Sequence, residues 1–446
     1  MLPLMVDSLV EVLSAAAAGD AAAAADGSGK VATARRIGVV GGGQLAWMLA
    51  GAAKELGIAV DVQTPSRHDP AVRMAAQVVE ADLQDGEATR RLASGCQAIT
   101  FENEWVDLEA LAVLEAEGVR FVPSLRALEP LVNKRSQREL LQRLNLPAPA
   151  WLPLADLVAA APSGLELSPQ PQQEHPLQPG DPMAAQPMGG PTLPQGWTYP
   201  VMAKAATGGY DGKATLVLRE PRDLEALLES VDPANWIVER FVAFDLELSQ
   251  LVCRDQQGQV RCYPLVQTHQ HHRVCDWVLA PAAVPHAVQA FARNIAVSLL
   301  TAIDYVGVLS IELFYGPEGL QINEIAPRTH NSGHVTIEAS HTSQFAQQAR
   351  IVAGLPMGEV ELKVPGALMV NLLGFERSES AYDDQRQALA SLPQARLHWY
   401  GKQGSSLGRK LGHITLLLDG ATAEERQRQA EQRLAQVRAI WPRPVY

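Results

Sequence analysis

The sequence predicts an α/β protein, with a parallel sheet near its N-terminal end and a mixed α+β centre. Three observations carry that prediction. From Arg36 onward, short apolar runs alternate with amphipathic segments. The first run, "RIGVV", enters "QLAWMLAGAAKELG" through three glycines. Beyond residue 200 the alternation gives way to strand pairs around glycine-containing turns. At 446 residues the chain exceeds one ordinary core, so several domains are expected.

Composition narrows the class. The chain is 47% hydrophobic and 19% charged, as expected of a globular protein. A formal charge of −12 argues against general nucleic-acid binding, which needs a basic surface. Cys96, Cys253, Cys262 and Cys275 show no C-x-x-C spacing, so neither a zinc knuckle nor a disulfide framework is indicated. No apolar run is long enough to span a membrane. The first 34 residues are alanine-rich and acidic and lack the basic start of a secretory signal. They read as a disordered extension, and the protein as cytoplasmic, with neither a nucleic acid nor a membrane as partner.

Element by element, "RIGVV" reads as a buried strand and "QLAWMLAGAAKELG" as a helix closed by Gly57. "IAVDVQT", "VVEAD" and "AITFE" follow as strands, "DLEALAVLEAEG" as a helix stopped by Gly118, and "VRFVPS" closes the unit. "LVNKRSQRELLQRLNLPAP" is a helix ending before Pro147. Residues 162–196 are dense in Pro, Gln and Gly and cannot bury enough apolar surface to offset their ordering entropy. They read as a flexible insertion. The expected domains are 35–125, 126–360 and 361–446, the last holding strands "RLHWYG" and "GHITLLL" and a terminal helix.

Several stretches carry chemistry. Gly41, Gly43 and Ala46 satisfy G-x-G-x-x-G/A, with Asp61 near a ribose reader's place, which points to an anion at a helix N-terminus. Lys204 precedes Gly208, Gly209 and Gly212 in a hairpin flap suited to phosphates. In "IELFYGPEGLQINEIA", a three-residue turn centred on Glu318 sets Glu312 opposite Glu324, within about 5.5 Å at Cβ. Two such carboxylates need a shared cation or a proton, and Mg²⁺ suits them. "APRTHNSGH" gathers Arg328, His330 and Asn331 directly afterwards, and "HWYGKQGSSLGRKLGH" gathers Lys402, Arg409 and Lys410. Glu239 and Glu247 sit on strands. "HQHHRVC" has alternate histidines but no carboxylate or cysteine positioned to complete a zinc site.

Taken together and in order, these motifs resemble the N5-carboxyaminoimidazole ribonucleotide synthase family, ATP-grasp enzymes of purine biosynthesis. "TGGYDGKA" and "INEIAPRTHNSGH" are close to that family's signatures. The resemblance implies an ATP-grasp fold with a Rossmann-like pre-ATP-grasp domain and a small C-terminal domain, working as a homodimer. It implies the substrates ATP, bicarbonate and 5-aminoimidazole ribonucleotide, with Mg²⁺ or Mn²⁺, and a reaction through carboxyphosphate. It places Lys134, Lys204, Gly208, Gly209, Tyr210, Asp211, Gly212, Lys213, Glu239, Val242, Glu247, Asn323 and Glu324 at ATP, and Glu312 and Glu324 at the metal. Gln44, Glu102, Tyr210, Asp211, Lys213, Arg328, His330, Asn331, Lys402, Arg409 and Lys410 would meet the ribonucleotide. Lys204, Arg328, His330 and Asn331 would be catalytic. The family usually has arginine where Lys134 stands. Its asparagine-x-histidine segment is here Thr268-His269-Gln270-His271, leaving open which of His269 and His271 approaches ATP. Another ATP-grasp ligase, of the formate-dependent glycinamide ribonucleotide transformylase type, and a nicotinamide oxidoreductase are the rival readings.

Overall fold

The computed structural model describes residues 35–159, 193–208 and 214–446. The N-terminal extension, most of the insertion and the flap residues Gly209–Lys213 lie outside them. Near the end of the stretch assigned to the insertion, Leu193 joins an apolar cluster and the carbonyl of Pro194 accepts a hydrogen bond from the amide of Trp197 at 3.0 Å, while Gln195 and Gly196 are exposed.

The first sheet is parallel throughout, in the order β3-β2-β1-β4. Its strands are β1 (Arg36–Val40), β2 (Ala59–Thr64), β3 (Gln77–Glu80) and β4 (Ile99–Phe101). Between the first two runs α1 (Gln44–Glu55), which buries Ala46, Leu49, Ala50 and Ala53 at helical spacing. "VRFVPS" adds no strand, because only Phe121 bridges to Ile99 before the chain turns away. The helix α2 (Gln344–Val352) comes from far along the chain. It sends Phe345, Ala349 and Val352 into the core that α1 and β1 build, so apolar packing ties this sheet to the next domain.

A small antiparallel sheet, ordered β5-β8-β6-β7, is made of Trp151–Pro153 (β5), Val201–Ala205 (β6), Thr215–Leu218 (β7) and Trp236–Arg240 (β8). Beside it lies the large sheet, ordered β14-β13-β9-β11-β12-β15-β17-β16, with β10 (Val260–Cys262) paired to β9. The strands are β9 (Leu246–Arg254), β11 (Val266–His271), β12 (Val274–Ala280), β13 (Gly307–Gly316), β14 (Gly319–Ala326), β15 (Gly366–Leu373), β16 (Ala395–Trp399) and β17 (Lys410–Leu418). β15 pairs with β12, so residues beyond 361 extend this same sheet. The terminal helix Ala423–Ile440 begins with a capping box between Thr422 and Glu425.

Candidate active site

The β13–β14 hairpin turns at Pro317 and Glu318, and Gly319 starts β14 with φ +81°, a left-handed value that favours glycine. Near the turn Gly316 faces Gly319 and Leu313 faces Ile322, one residue out of step with a pairing centred on Glu318. A bulge then leaves Asn323 unpaired and shifts the register, so that Glu312 does face Glu324. The expected pair exists because of the bulge and not because of the turn. Both carboxylates are partly exposed, with side-chain exposures of 27% and 39%.

Their electrostatics differ. Burial, followed by the neighbouring Glu324, pushes the Glu312 carboxyl up to about 7. Burial opposes ionisation of Glu324 as well, but Lys134 outweighs it and holds that group below its ordinary value. Lys134 Nζ lies 2.7 Å from Glu324 Oε1. The helix that carries Lys134, Lys134–Arg143, is capped by Asn133, whose side chain accepts from the Arg135 amide. Sequence reasoning missed Arg138. It lies one helical turn after Lys134 on the same face, and that i,i+4 spacing was the available signal.

Arg138 changes the reading of Glu239. Arg138 Nε donates to Glu239 Oε1 at 2.6 Å, and Lys204 Nζ lies 2.8 Å from Glu239 Oε2. With both oxygens taken and the side chain 2% exposed, the Glu239 carboxylate anchors two cations. Burial opposes its ionisation, yet Arg138 and Lys204 hold it at about 2. Lys204 is buried too, and burial lowers its pKa against the pull of Glu239. Its Nζ also donates to Asn323 Oδ1 at 3.0 Å, while Asn323 Nδ2 donates to Glu312 Oε2 at 3.2 Å. Lys204 therefore joins the small sheet to the carboxylate hairpin. Arg138 Nη2 donates to the carbonyl of Asn323 at 2.6 Å, fixing the bulge from the other side.

The "APRTHNSGH" loop leaves β14 along the same edge. Arg328 Nε donates to Glu104 Oε2 at 2.8 Å, an ion pair that links this loop to the N-terminal domain. His330 Nε2 lies 3.3 Å from Glu312 Oε1, and its Nδ1 meets Ser332 Oγ at 2.8 Å. Ser332 is in turn bonded to Ser249. Asn331 and Asn371 exchange side-chain amide bonds of 3.0 and 2.7 Å.

The glycine loop at the start of α1 holds an anion from its own chain. Gly43, Leu45 and Ala46 donate their amides to the Glu102 carboxylate at 2.6, 3.0 and 3.3 Å. A Cβ on Gly43 would lie 2.5 Å from Glu102 Oε1, which is the close approach that requires glycine. This corrects the expectation that these amides wait for a phosphate: the partly exposed Glu102 carboxylate, expected at the ribonucleotide, accepts from them. Gln44 opens α1 beside them. Asp61 is 3% exposed and bonded to Arg36, so no ribose reader is present there.

The remaining candidates are distributed as follows. Glu247 lies second in β9 opposite Phe314, and burial followed by Glu312 pushes it up to about 7. Val242 lies half-buried between β8 and β9, near Phe244, which stacks on Phe314 at 4.5 Å. Lys402 sits over the Tyr400 ring, Arg409 is bonded to the carbonyls of Gln403 and Gly404, and Lys410 begins β17. Gly208 is exposed, and Gly209, Tyr210, Asp211, Gly212 and Lys213 lie outside the described residues. His269 stacks on Trp277 with Asp276 Oδ2 at 3.6 Å from Nδ1, so a carboxylate does lie beside the histidine run. His271 bonds the carbonyl of Pro444. Among the described residues no cluster of three or more His, Cys, Asp or Glu side chains forms a metal site.

This architecture and cleft define an ATP-grasp protein, a nucleotide-dependent ligase. Residues 34–131 match the ribonucleotide synthetase preATP-grasp domain, 191–345 the ATP-grasp domain, and 367–428 the phosphoribosylaminoimidazole carboxylase C-terminal domain. N5-carboxyaminoimidazole ribonucleotide synthase of Synechococcus elongatus is 49% identical over 93% of this chain and 97% of its own length. The synthetase of Thermus thermophilus superposes with a TM-score of 0.74 at 31% identity, covering 92% of this chain and 99% of that one. The Aspergillus clavatus synthase, solved with ADP and 5-aminoimidazole ribonucleotide, gives 0.76 at 28% identity over 91% and 98%. The chain belongs to the N5-carboxyaminoimidazole ribonucleotide synthase family.

Proposed function

We propose that this protein carboxylates 5-aminoimidazole ribonucleotide with bicarbonate and ATP, giving N5-carboxyaminoimidazole ribonucleotide, ADP and phosphate. One observation carries the reading: Glu312 faces Glu324 in a cleft ringed by Lys134, Lys204 and Arg328. Such a site suits transfer of a phosphoryl group, where charge must be balanced on several oxygens at once.

The donor set fits a divalent cation. Burial and the facing Glu324 push Glu312 up to about 7, a repulsion between carboxylates that Mg²⁺ held by Glu312 and Glu324 would offset. When bound, Mg²⁺ would neutralise the polyphosphate and polarise its terminal phosphoryl group. Bicarbonate oxygen attacks the γ-phosphorus, ADP leaves, and the product is carboxyphosphate. The exocyclic amine then attacks its carboxyl carbon, phosphate departs, and the nitrogen loses a proton.

This chain's residues position and neutralise. Lys134 and Lys204 bring positive charge to the polyphosphate side, Lys204 being held by Asn323. Arg328, oriented through Nε by Glu104, turns its remaining donors toward the transferred phosphate. His330 and Asn331, fixed by Ser332 and Asn371, contact the ribonucleotide. A homodimer and a cytoplasmic location belong to the same reading. The test is ADP release measured with bicarbonate and the ribonucleotide, each omitted in turn. Release that needs both supports the reading, and release indifferent to the ribonucleotide overturns it.

A further inference from the structure

His330 belongs to no strand, yet its backbone is extended, with φ −131° and ψ 156°. An extended residue needs partners for both its N–H and its C=O, and here one side chain supplies them. The His330 amide donates to Gln344 Oε1 at 2.9 Å, and Gln344 Nε2 donates to the His330 carbonyl at 2.7 Å. A primary amide presents its oxygen and its N–H as a neighbouring strand would, so Gln344 stands in for a sheet partner at a single residue. Gln344 is fully buried. The same Nε2 reaches His334 Nδ1 at 3.2 Å, and a Cβ on Gly333 would lie 2.4 Å from Gln344 Oε1.

The clamp is itself held. Gln344 opens α2, its own amide donates to Thr336 Oγ1 at 2.9 Å, and Ser343 caps the helix by accepting from the Ala346 amide. Further along α2, Gln348 Nε2 donates to Thr100 Oγ1 at 2.9 Å, and its Oε1 accepts from the Val308 amide at 2.7 Å. Thr100 lies on β4 shortly before Glu102, and Val308 lies on β13 one stretch of strand before Glu312. One helix therefore fixes the His330 backbone against both the N-terminal sheet and the carboxylate hairpin. The His330 ring is aimed from that backbone: Nδ1 accepts from the Ser332 amide at 3.3 Å, and Nε2 lies 3.3 Å from Glu312 Oε1.

We propose that Gln344 is a positioning residue for the carboxylation, holding the His330 ring in line with the reacting groups through the His330 backbone. The assignment rests on the carboxylation reading, in which His330 meets the ribonucleotide. Two variants of the full chain test it. Gln344→Met keeps the length of the side chain and removes both bonds, and Gly333→Ala adds a methyl that displaces the amide. Each should lower kcat at least tenfold while KM for ATP stays within about twofold. In a His330→Ala background, Gln344→Met should cost less than about threefold, since residues that act through one another are not additive. The His330 ring signals, assigned in a histidine-labelled NMR spectrum by their loss in His330→Ala, should shift in Gln344→Met. An equal kcat loss with and without the His330 ring, or unshifted ring signals, would overturn the assignment. Failure of both variants to fold by circular dichroism would overturn it too, leaving Gln344 a structural residue alone. A parent chain without ribonucleotide-dependent ADP release would instead overturn the carboxylation reading, and the ring signals would still report whether Gln344 holds His330.

Discussion

The carboxylate of Glu102 lies 2.6 Å from the amide of Gly43, seated where a glycine loop would otherwise take a phosphate. The chain thereby closes its own anion site. Burial raises the Glu102 carboxyl above its ordinary value, with the three amides pulling the other way. The charged form is thus held in place at a cost that the amides only partly offset.

Replacing Glu102 tests this balance. Glu102→Ala leaves three buried amides without an acceptor and should destabilise the fold by about 2–4 kcal/mol in chemical denaturation. Glu102→Gln keeps an acceptor oxygen and should cost much less at neutral pH. A raised carboxyl favours the folded state below the unfolded pKa and loses that contribution as pH rises. The glutamine variant should therefore gain stability relative to the parent as pH rises above the unfolded carboxyl value of about 4.5.

Glu324→Gln should reduce Mg²⁺-dependent ADP formation at least a hundredfold, because it removes one of two facing carboxylates and the partner of Lys134. Steady-state turnover across a Mg²⁺ series is the measurement. Near-normal rates at modest Mg²⁺ would remove Glu324 from the metal site.

Glu104→Ala should lower kcat by about 10- to 100-fold with little change in KM for ATP. Glu104 orients Arg328 through Nε. Glu104→Gln should recover part of the rate, since its amide oxygen can still accept. A KM effect without a kcat effect would count against this role.

The Glu239 triad predicts an acid limb. Its carboxyl is held at about 2 by Arg138 and Lys204, below the unfolded value, so its stabilisation is complete above about pH 4.5. That contribution is lost as pH falls from there through 2. Urea denaturation at stepped pH should show a steep loss in this window for the parent. Glu239→Gln should be less stable at neutral pH and flatter across the window.

Much of the site was legible because its chemistry is local in sequence. Glu312 and Glu324 share one hairpin, and Arg328, His330 and Asn331 follow without a break, so all five lie within one stretch of chain, although the facing of the two glutamates also needs the bulge at Asn323. The alternation of β1, α1 and β2 was equally plain, since burial at period 3.6 or on whole strands leaves its mark in composition. The ion pairs of Glu239 were not legible because its partners, Arg138 and Lys204, come from other elements, and their capture of both oxygens depends on packing. "VRFVPS" was overvalued for the same reason, as an apolar run does not state whether a neighbouring strand edge continues beside it.

By itself the sequence determined the fold class, the hairpin that carries the two glutamates and the basic loops, because residue type and spacing are enough to define a hairpin or a glycine turn, whereas the bulge that sets Glu312 opposite Glu324 is a tertiary feature. Only the tertiary structure decided which anion the first glycine loop holds, and which cations Glu239 anchors. It alone brought Arg73 against the carbonyl of Tyr400. Those contacts join residues 59, 101 and 327 positions apart. Over such separations no local periodicity relates the partners; they meet only once helices and sheets have packed and burial has forced each charge to find one.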